Sequence, residues 1–261
     1  MVETLPLAAH LEGLRTALVA FVRYADRAGL DAHVPTTPDW TVRQLIAHQA
    51  MVHRWAAASV RGQTVDPDAL EREGRKQSDP VEWLRDGAIE IVQAIHDAPE
   101  DLEALVFLRD APAAKPFWAR RQCHETTMHA VDALSAALGR YPKADDTWID
   151  PAIAADGIDE LLTGFITRSK SRLRSEEPLT IGVRPTDADR AWLVHVSPEP
   201  AVTERLVSIR ASSLGPARPA ESADVVLEGS CVALYLTLWN RSDEVVPEGG
   251  FDIWAGSAIN W

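Results

Sequence analysis

Hydrophobic positions recur at helical spacing through the first two-thirds of the chain, and they form short strand-like runs in the last third. Apolar residues every three or four positions predict a helix over Leu5–Gly29. Thr41 and Gln44 form a capping box that begins a second helix. A third helix is predicted over Val81–His96. A fourth is predicted over Pro116–Gly139, because proline suits a first helical turn and glycine a C-terminal cap.

The rest of the chain reads as a polar loop, a fifth helix and a strand-rich C-terminal third. Residues 61–80 are polar and rich in turn formers, which predicts the loop. The fifth helix begins at Pro151 and is predicted to end near Arg168. A charged connector follows, and after it four apolar stretches predict strands over Leu179–Val183, Trp192–Val196, Leu206–Ile209 and Val225–Leu227. A short apolar helix over Cys231–Trp239 comes after the last strand.

These patterns predict an α+β protein with two domains. Residues 1–172 are expected to form an N-terminal helical bundle, because their apolar stripes need one another for burial. Residues 173–261 are expected to form a small C-terminal α/β domain. A chain of 261 residues is long enough to give each domain a core of its own.

Composition narrows the classes of partner. The net charge is -13, and nucleic-acid affinity rests on basic side chains that neutralise phosphates, so no nucleic-acid partner is expected. No apolar run approaches the roughly 20 residues that span a bilayer, so no membrane partner is expected either. The two cysteines are far apart, which suits a reducing cytosol. We expect a cytoplasmic protein that acts as a monomer or a homodimer.

The predicted fourth helix carries the pattern with the most chemical content. Glu125 and His129 are four residues apart, so they lie one turn apart on one helix face, and Asp132 continues the same stripe. A carboxylate and an imidazole stacked in this way can share a metal ion. His124 and His129 point about 140° apart, so they cannot form the histidine pair of a metalloprotease helix.

A stripe of this kind is more often a solvated helix face than a metal site. However, residues 122–139 contain no Lys or Arg, which indicates that this helix is buried and that its carboxylate needs a partner. A third ligand would come from the second helix, which offers His48 and His53. His48 shares a stripe with apolar residues, and His53 points about 140° away from it. Spacing favours His48 without deciding between the two.

Three segments, in order and spacing, resemble the mycothiol-dependent maleylpyruvate isomerase family. Pro38–His48 resembles the motif of its second helix, and His124–Asp132 resembles its motif of a glutamate followed by a histidine. Ala154–Leu161 resembles the start of its next helix. The resemblance extends over nearly the whole chain, because the strand-rich C-terminal segment is similar to the small domain of the family.

This resemblance implies a DinB-like four-helix bundle that holds a divalent metal, usually zinc, through His48, Glu125 and His129. Three protein ligands leave the open position that a catalytic metal needs. In the family, that position would receive the thiol of mycothiol, whose thiolate attacks an electrophilic carbon. The implied partners are therefore a small-molecule thiol and a small electrophilic substrate, and the implied reaction is isomerisation or thiol S-transfer.

Two positions bear on the substrate. Leu238–Arg241 resembles the family stretch that supplies a catalytic arginine, which implies that Arg241 binds a substrate carboxylate. An exposed arginine after a helix end is the alternative interpretation. Ala130 stands where the family motif has an arginine, which leaves the substrate open. Two other functions also stay open, a thiol-independent metal enzyme that uses metal-bound water and a non-enzymatic ligand-binding protein.

Overall fold

A helical N-terminal region followed by a small mixed sheet confirms the predicted α+β class. The computed structural model describes residues 5–207, 220, 222–249 and 254. It divides into two compact units, the first made of Met1–Phe107 with Pro112–Pro142 and the second of Leu108–Ala111 with Lys143–Trp261. This division assigns the helix that begins at Pro151 to the second unit, whereas the predicted first domain, residues 1–172, includes it. Within the described residues, no helix combines the length and the apolar character that crossing a membrane requires.

The first unit is built from four long helices and one short helix. Their bounds are Leu7–Ala28 (α1), Val42–Val60 (α2), Pro67–Lys76 (α3), Pro80–Asp97 (α4) and Ala114–Leu138 (α5). Helix α1 packs along α5, α2 packs against both α4 and α5, and α4 also touches α1. The capping box of α2 is confirmed, since the Gln44 side chain accepts a hydrogen bond of 2.8 Å from the backbone N–H of Thr41.

The prediction of a loop over residues 61–80 is wrong, because α3 lies within this segment. Asp66 caps its N-terminus by accepting a hydrogen bond of 3.2 Å from the backbone N–H of Ala69, and Pro67 occupies the first turn. Among the residues of α3, only Gly74 is fully buried, so the helix lacks the apolar stripe that reveals a helix in a sequence.

Helix α5 is buried along most of its length, as the absence of Lys and Arg after Gln122 predicted. The side chains of Glu125 and Asp132 are 3% and 0% exposed. The helix ends at Leu138, and the φ of 69° at the following Gly139 lies in the left-handed region, so the predicted C-terminal cap is confirmed. Because buried charged groups need compensating partners, the polar face of α5 is the first place to look for a site.

The second unit places two α-helices beside a four-stranded sheet. Its elements are a 3-10 turn (Ala144–Asp146), α6 (Pro151–Asp159), a π-helical turn (Glu160–Phe165), β1 (Leu179–Pro185), β2 (Arg190–Val196), β3 (Val202–Val207), β4 (Val225–Gly229) and α7 (Cys231–Leu238). The strand order is β3-β2-β1-β4. Strand β2 runs antiparallel to both β1 and β3, and β4 joins β1 in parallel. Helices α6 and α7 pack against each other.

Two predicted boundaries in this unit are corrected by the structure. The α-helix ends at Asp159 rather than near Arg168, and the following turn is π-helical. The Thr163 hydroxyl donates a hydrogen bond of 2.8 Å to the carbonyl of Asp159, and such bonds back to the preceding turn distort helices. Strand β3 begins at Val202, ahead of the predicted Leu206, because its first half holds three consecutive polar residues, 203–205, that an apolar pattern does not include. Residues 208 and 209 of that prediction lie outside the described residues.

Candidate metal centre

Helices α2 and α5 bring three of the predicted site residues together. The potential ligand atoms of His48, Glu125 and His129 all lie within 4.8 Å of one another. Glu125 and His129 are buried, and His48 is half-buried. Two imidazoles and one carboxylate at this separation form a donor set that suits zinc. That these residues bind a metal stays a prediction.

His129 is oriented by carboxylates on both sides of its ring. Its Nδ1 donates a hydrogen bond of 2.9 Å to Asp132, and its Nε2 lies 3.2 Å from Glu125 Oε1. Thr36 in turn donates a hydrogen bond of 2.6 Å to the other oxygen of Asp132. Burial alone would lower the pKa of His129, but the hydrogen bond with Asp132 and the nearby Glu125 carboxylate outweigh it and raise this pKa to about 9. Nδ1 is therefore committed to Asp132, and Nε2 faces the cluster.

One oxygen of Glu125 accepts a hydrogen bond, and the other faces His129 Nε2 at 3.2 Å without one from the described residues. Arg121 donates a hydrogen bond of 3.2 Å to Oε2. Within the part of the chain that the structure describes, Oε1 accepts no hydrogen bond, although it is buried. Burial raises the pKa of Glu125, but His129 and Arg121 outweigh this effect and hold the pKa below its usual value. An ionised, buried carboxylate oxygen without a hydrogen bond has the chemistry of a metal ligand.

His48 enters the cluster from α2, beneath the ring of Trp40. The two ring centroids are 4.8 Å apart, and the Trp40 ring also stacks on His129 at 6.0 Å. On its other side, His48 Nδ1 lies 3.6 Å from Glu71 Oε2, on α3. The nearby His48 imidazole is the largest influence on Glu71 and, together with Arg75, lowers the pKa of this carboxyl to about 2. Glu71 was not among the predicted site residues because residues 61–80 were predicted to form a loop, although the Asp66-Pro67 helix start is visible in the sequence.

His53, which spacing left as an alternative ligand, lies outside this cluster. It is fully buried, and its Nε2 lies 2.9 Å from Thr126 Oγ1 and 2.8 Å from Gln49 Nε2. Burial, with a smaller contribution from Arg54, lowers the pKa of His53 to about 3. His53 is thus a neutral core histidine held between α2 and α5.

The two cysteines and His195 lie in surroundings that suit a structural role. Cys123 is fully buried on α5. Burial, together with Asp187, raises the pKa of the Cys231 thiol to about 12, so this cysteine is not a thiolate at neutral pH. His195 lies on β2 and pairs with Glu204 at 2.9 Å. None of these side chains is placed for nucleophilic chemistry.

Arg241 follows the end of α7 in the second unit. Its side chain is half-buried, and Nη1 donates a hydrogen bond of 2.8 Å to the carbonyl of Trp239. Its backbone N–H donates to the carbonyl of Leu236 at 2.8 Å, which closes the end of the helix. The assignment of Arg241 to a substrate carboxylate stays a prediction from the family resemblance.

Comparisons with known proteins agree with the resemblance. The family model described as "Mycothiol maleylpyruvate isomerase N-terminal domain" matches residues 11–134, and the model described as "MDMPI C-terminal domain" matches residues 152–250. Two crystal structures, of mycothiol-dependent maleylpyruvate isomerase and of a histidine-to-alanine mutant of it, match 96% of this chain and 97% of theirs. Their TM-scores are 0.58 and 0.62, and both are 15% identical, so they support the fold alone. No curated protein sequence matches the chain.

Proposed function

The chain belongs to the mycothiol-dependent maleylpyruvate isomerase family, a family of enzymes, and from this premise we propose that it is a metal-dependent enzyme that uses mycothiol. Mycothiol would be a cofactor or a co-substrate, and its thiolate would attack a small electrophilic substrate. The proposal is carried by the convergence of His48, Glu125 and His129 within 4.8 Å.

The residues present fit a zinc ion. Glu125 Oε1 is buried without a hydrogen bond from the described residues, and His129 Nε2 faces it at 3.2 Å. Asp132 fixes the imidazole of His129 through Nδ1, as carboxylates commonly do for metal-bound histidines. Three protein ligands leave one position of a tetrahedral zinc for a thiol.

When bound, zinc would lower the pKa of a coordinated thiol and so supply a thiolate at neutral pH. The side chains around it would prepare the site for this ion. Arg121 holds one oxygen of Glu125 and leaves the other free for coordination. The ring of Trp40 covers His48 and His129, which would limit the access of water to the reacting sulfur.

The proposed site indicates a class of substrate, and it does not identify one compound. We propose that Arg241 binds a carboxylate of the substrate through the fork geometry of its guanidinium, an assignment that rests on the family resemblance. Ala130 is a buried alanine where the family motif has an arginine. This difference leaves isomerisation and S-transfer as two forms of the same proposed thiolate chemistry.

The metal content of chelator-free protein tests this proposal first. Mass spectrometry of the wild type should find about one zinc per chain. The variant His129→Ala should lose it, and His195→Ala, which removes a half-buried histidine of β2 outside the cluster, should keep it. Calorimetry should then detect saturable binding of mycothiol to the zinc-loaded protein and none to the zinc-free protein.

Three outcomes would contradict parts of the proposal. A wild type that takes up no zinc even when zinc is supplied would favour a non-enzymatic binding protein. A fully metallated protein that fails to bind mycothiol would remove the thiol from the proposal. Turnover without any thiol would favour the thiol-independent metal enzyme instead.

A further inference from the structure

A second carboxylate, outside the proposed ligand set, faces the other histidine of the cluster. Glu71 Oε2 lies 3.6 Å from His48 Nδ1, and the two side chains are only 20% and 16% exposed. We infer that Glu71 is a positioning residue that orients His48 so that its Nε2 points to the metal. This inference rests on the metal site of the proposed function and adds a residue to it.

The arrangement around His48 repeats the one around His129. In both cases a carboxylate oxygen faces Nδ1 of the imidazole, at 3.6 Å for Glu71 and 2.9 Å for Asp132. In both cases the second carboxylate oxygen is held by another side chain, Arg75 for Glu71 and Thr36 for Asp132. Such outer carboxylates fix the tautomer and the ring orientation of metal-bound histidines and raise their basicity.

The position of Glu71 depends on the close packing of α3 against α2. A Cβ atom on Gly74 would lie 3.2 Å from Cβ of Ala47, the residue before His48, and 3.0 Å from Trp83 Nε1. The absence of a side chain at Gly74 therefore lets α3 approach α2 next to the histidine. The Arg43 guanidinium adds a hydrogen bond of 3.1 Å to the carbonyl of Gln77, just after α3 ends. The packing of α3 against α2 thus holds Glu71 next to His48.

Two other roles for Glu71 fit the geometry less well. As a fourth metal ligand, it would share the ligand cluster, but the group of donor atoms within 4.8 Å consists of His48, Glu125 and His129 without it. A simple surface ion pair with Arg75, which is 47% exposed, is the other alternative. This pairing does not explain why the Glu71 side chain is four-fifths buried against an imidazole. Orientation of His48 accounts for both its burial and its direction.

Zinc affinity in a set of matched variants tests the inference. Glu71→Ala removes the carboxylate, Glu71→Gln keeps an acceptor oxygen without the charge, and Asp68→Asn removes an exposed charge from the same helix. Competition with a chromophoric chelator should give a zinc Kd about 10–100-fold weaker for Glu71→Ala, an intermediate value for Glu71→Gln, and an unchanged value for Asp68→Asn. In the absence of zinc, the unfolding midpoints of the three variants should equal that of the wild type.

A second measurement reads the orientation of His48 directly. Nitrogen-15 NMR of the zinc-loaded wild type should find His48 coordinated through Nε2 with a proton on Nδ1. In Glu71→Ala the Nδ1 proton should exchange faster, and the visible spectrum of the cobalt-substituted variant should differ from that of the wild type. The exchange of the Nδ1 proton and the cobalt spectrum both depend on how His48 is coordinated, and a general loss of stability would not change them.

The outcomes separate this inference from the proposed function. Wild-type affinity in Glu71→Ala, or coordination of His48 through Nδ1, would overturn the role of Glu71 and leave the metal site intact. Equal weakening by Glu71→Ala and Asp68→Asn would also overturn it, because the effect would then be one of net charge. A wild type that binds no zinc would overturn both.

Discussion

Replacing His53 with glutamine should make the bundle less sensitive to acid. In the folded protein this histidine is fully buried and its pKa is lowered to about 3, chiefly by burial, whereas the ordinary value is 6.5. Between these two values the unfolded chain carries a proton on His53 that the folded chain does not. Because the unfolded state then binds more protons, the free energy of unfolding falls as the pH falls.

The size of this effect follows from the two pKa values. Between pH 6.5 and a pH one unit lower, the protonation of His53 in the unfolded state should cost the wild type about 1 kcal/mol of stability. The cost should keep growing by up to about 1.4 kcal/mol for each further pH unit, until the folded state also takes up the proton. In His53→Gln this contribution is absent, although the amide can still meet Thr126 and Gln49.

Denaturant unfolding of the metal-free protein at the two pH values measures the difference. The wild type should lose about 1 kcal/mol more than His53→Gln on acidification. The variant His96→Gln removes an imidazole that is 81% exposed and should follow the wild type. Equal acid sensitivity of the wild type and His53→Gln would refute the view that His53 is a neutral core residue.

Three further predictions concern single residues elsewhere. Asp132→Asn should weaken zinc binding by about 10–100-fold in chelator competition, because the carboxylate that fixes His129 is lost; an unchanged Kd would contradict this. Arg205→Met removes the guanidinium that donates two hydrogen bonds to buried Asp159, so denaturant unfolding should report a loss of about 3 kcal/mol, and no loss would show that the pair is not stabilising. Gly139→Ala should cost about 1 kcal/mol in the same assay, since its φ is 69° and no atom lies within 4 Å of the added Cβ, and wild-type stability would contradict this.

The parts of the fold that the sequence predicted well are those set by local chemistry. The capping box of Thr41 and Gln44 and the glycine cap at Gly139 each depend on a few neighbouring residues, and both are confirmed. The burial of α5 after Arg121 was also predictable, because residues 122–138 contain no Lys or Arg to form a solvated face. These signals need no knowledge of how the helices pack.

Helix α3 was missed because its stability comes from its ends and its neighbour. It begins with an Asp-Pro cap, and an ion pair joins Glu71 to Arg75 one turn later. The contact with α2 is made through Gly74, a residue that normally argues against a helix. The pattern of apolar residues therefore predicts a loop here, and it gives no indication that Glu71 faces His48.

The distinction between His48 and His53 depends on tertiary packing for a similar reason. Both histidines lie on α2, and either one could face α5, depending on how α2 is rotated about its own axis. Their surroundings separate them, because α5 presents the hydroxyl of Thr126 to His53 and presents Glu125 and His129 to His48. A hydroxyl in the core stabilises a neutral imidazole, whereas a buried carboxylate and a second imidazole are the other two donors of the proposed metal site. The crossing of two helices therefore decides which histidine can meet a metal, and the sequence of α2 alone does not contain that angle.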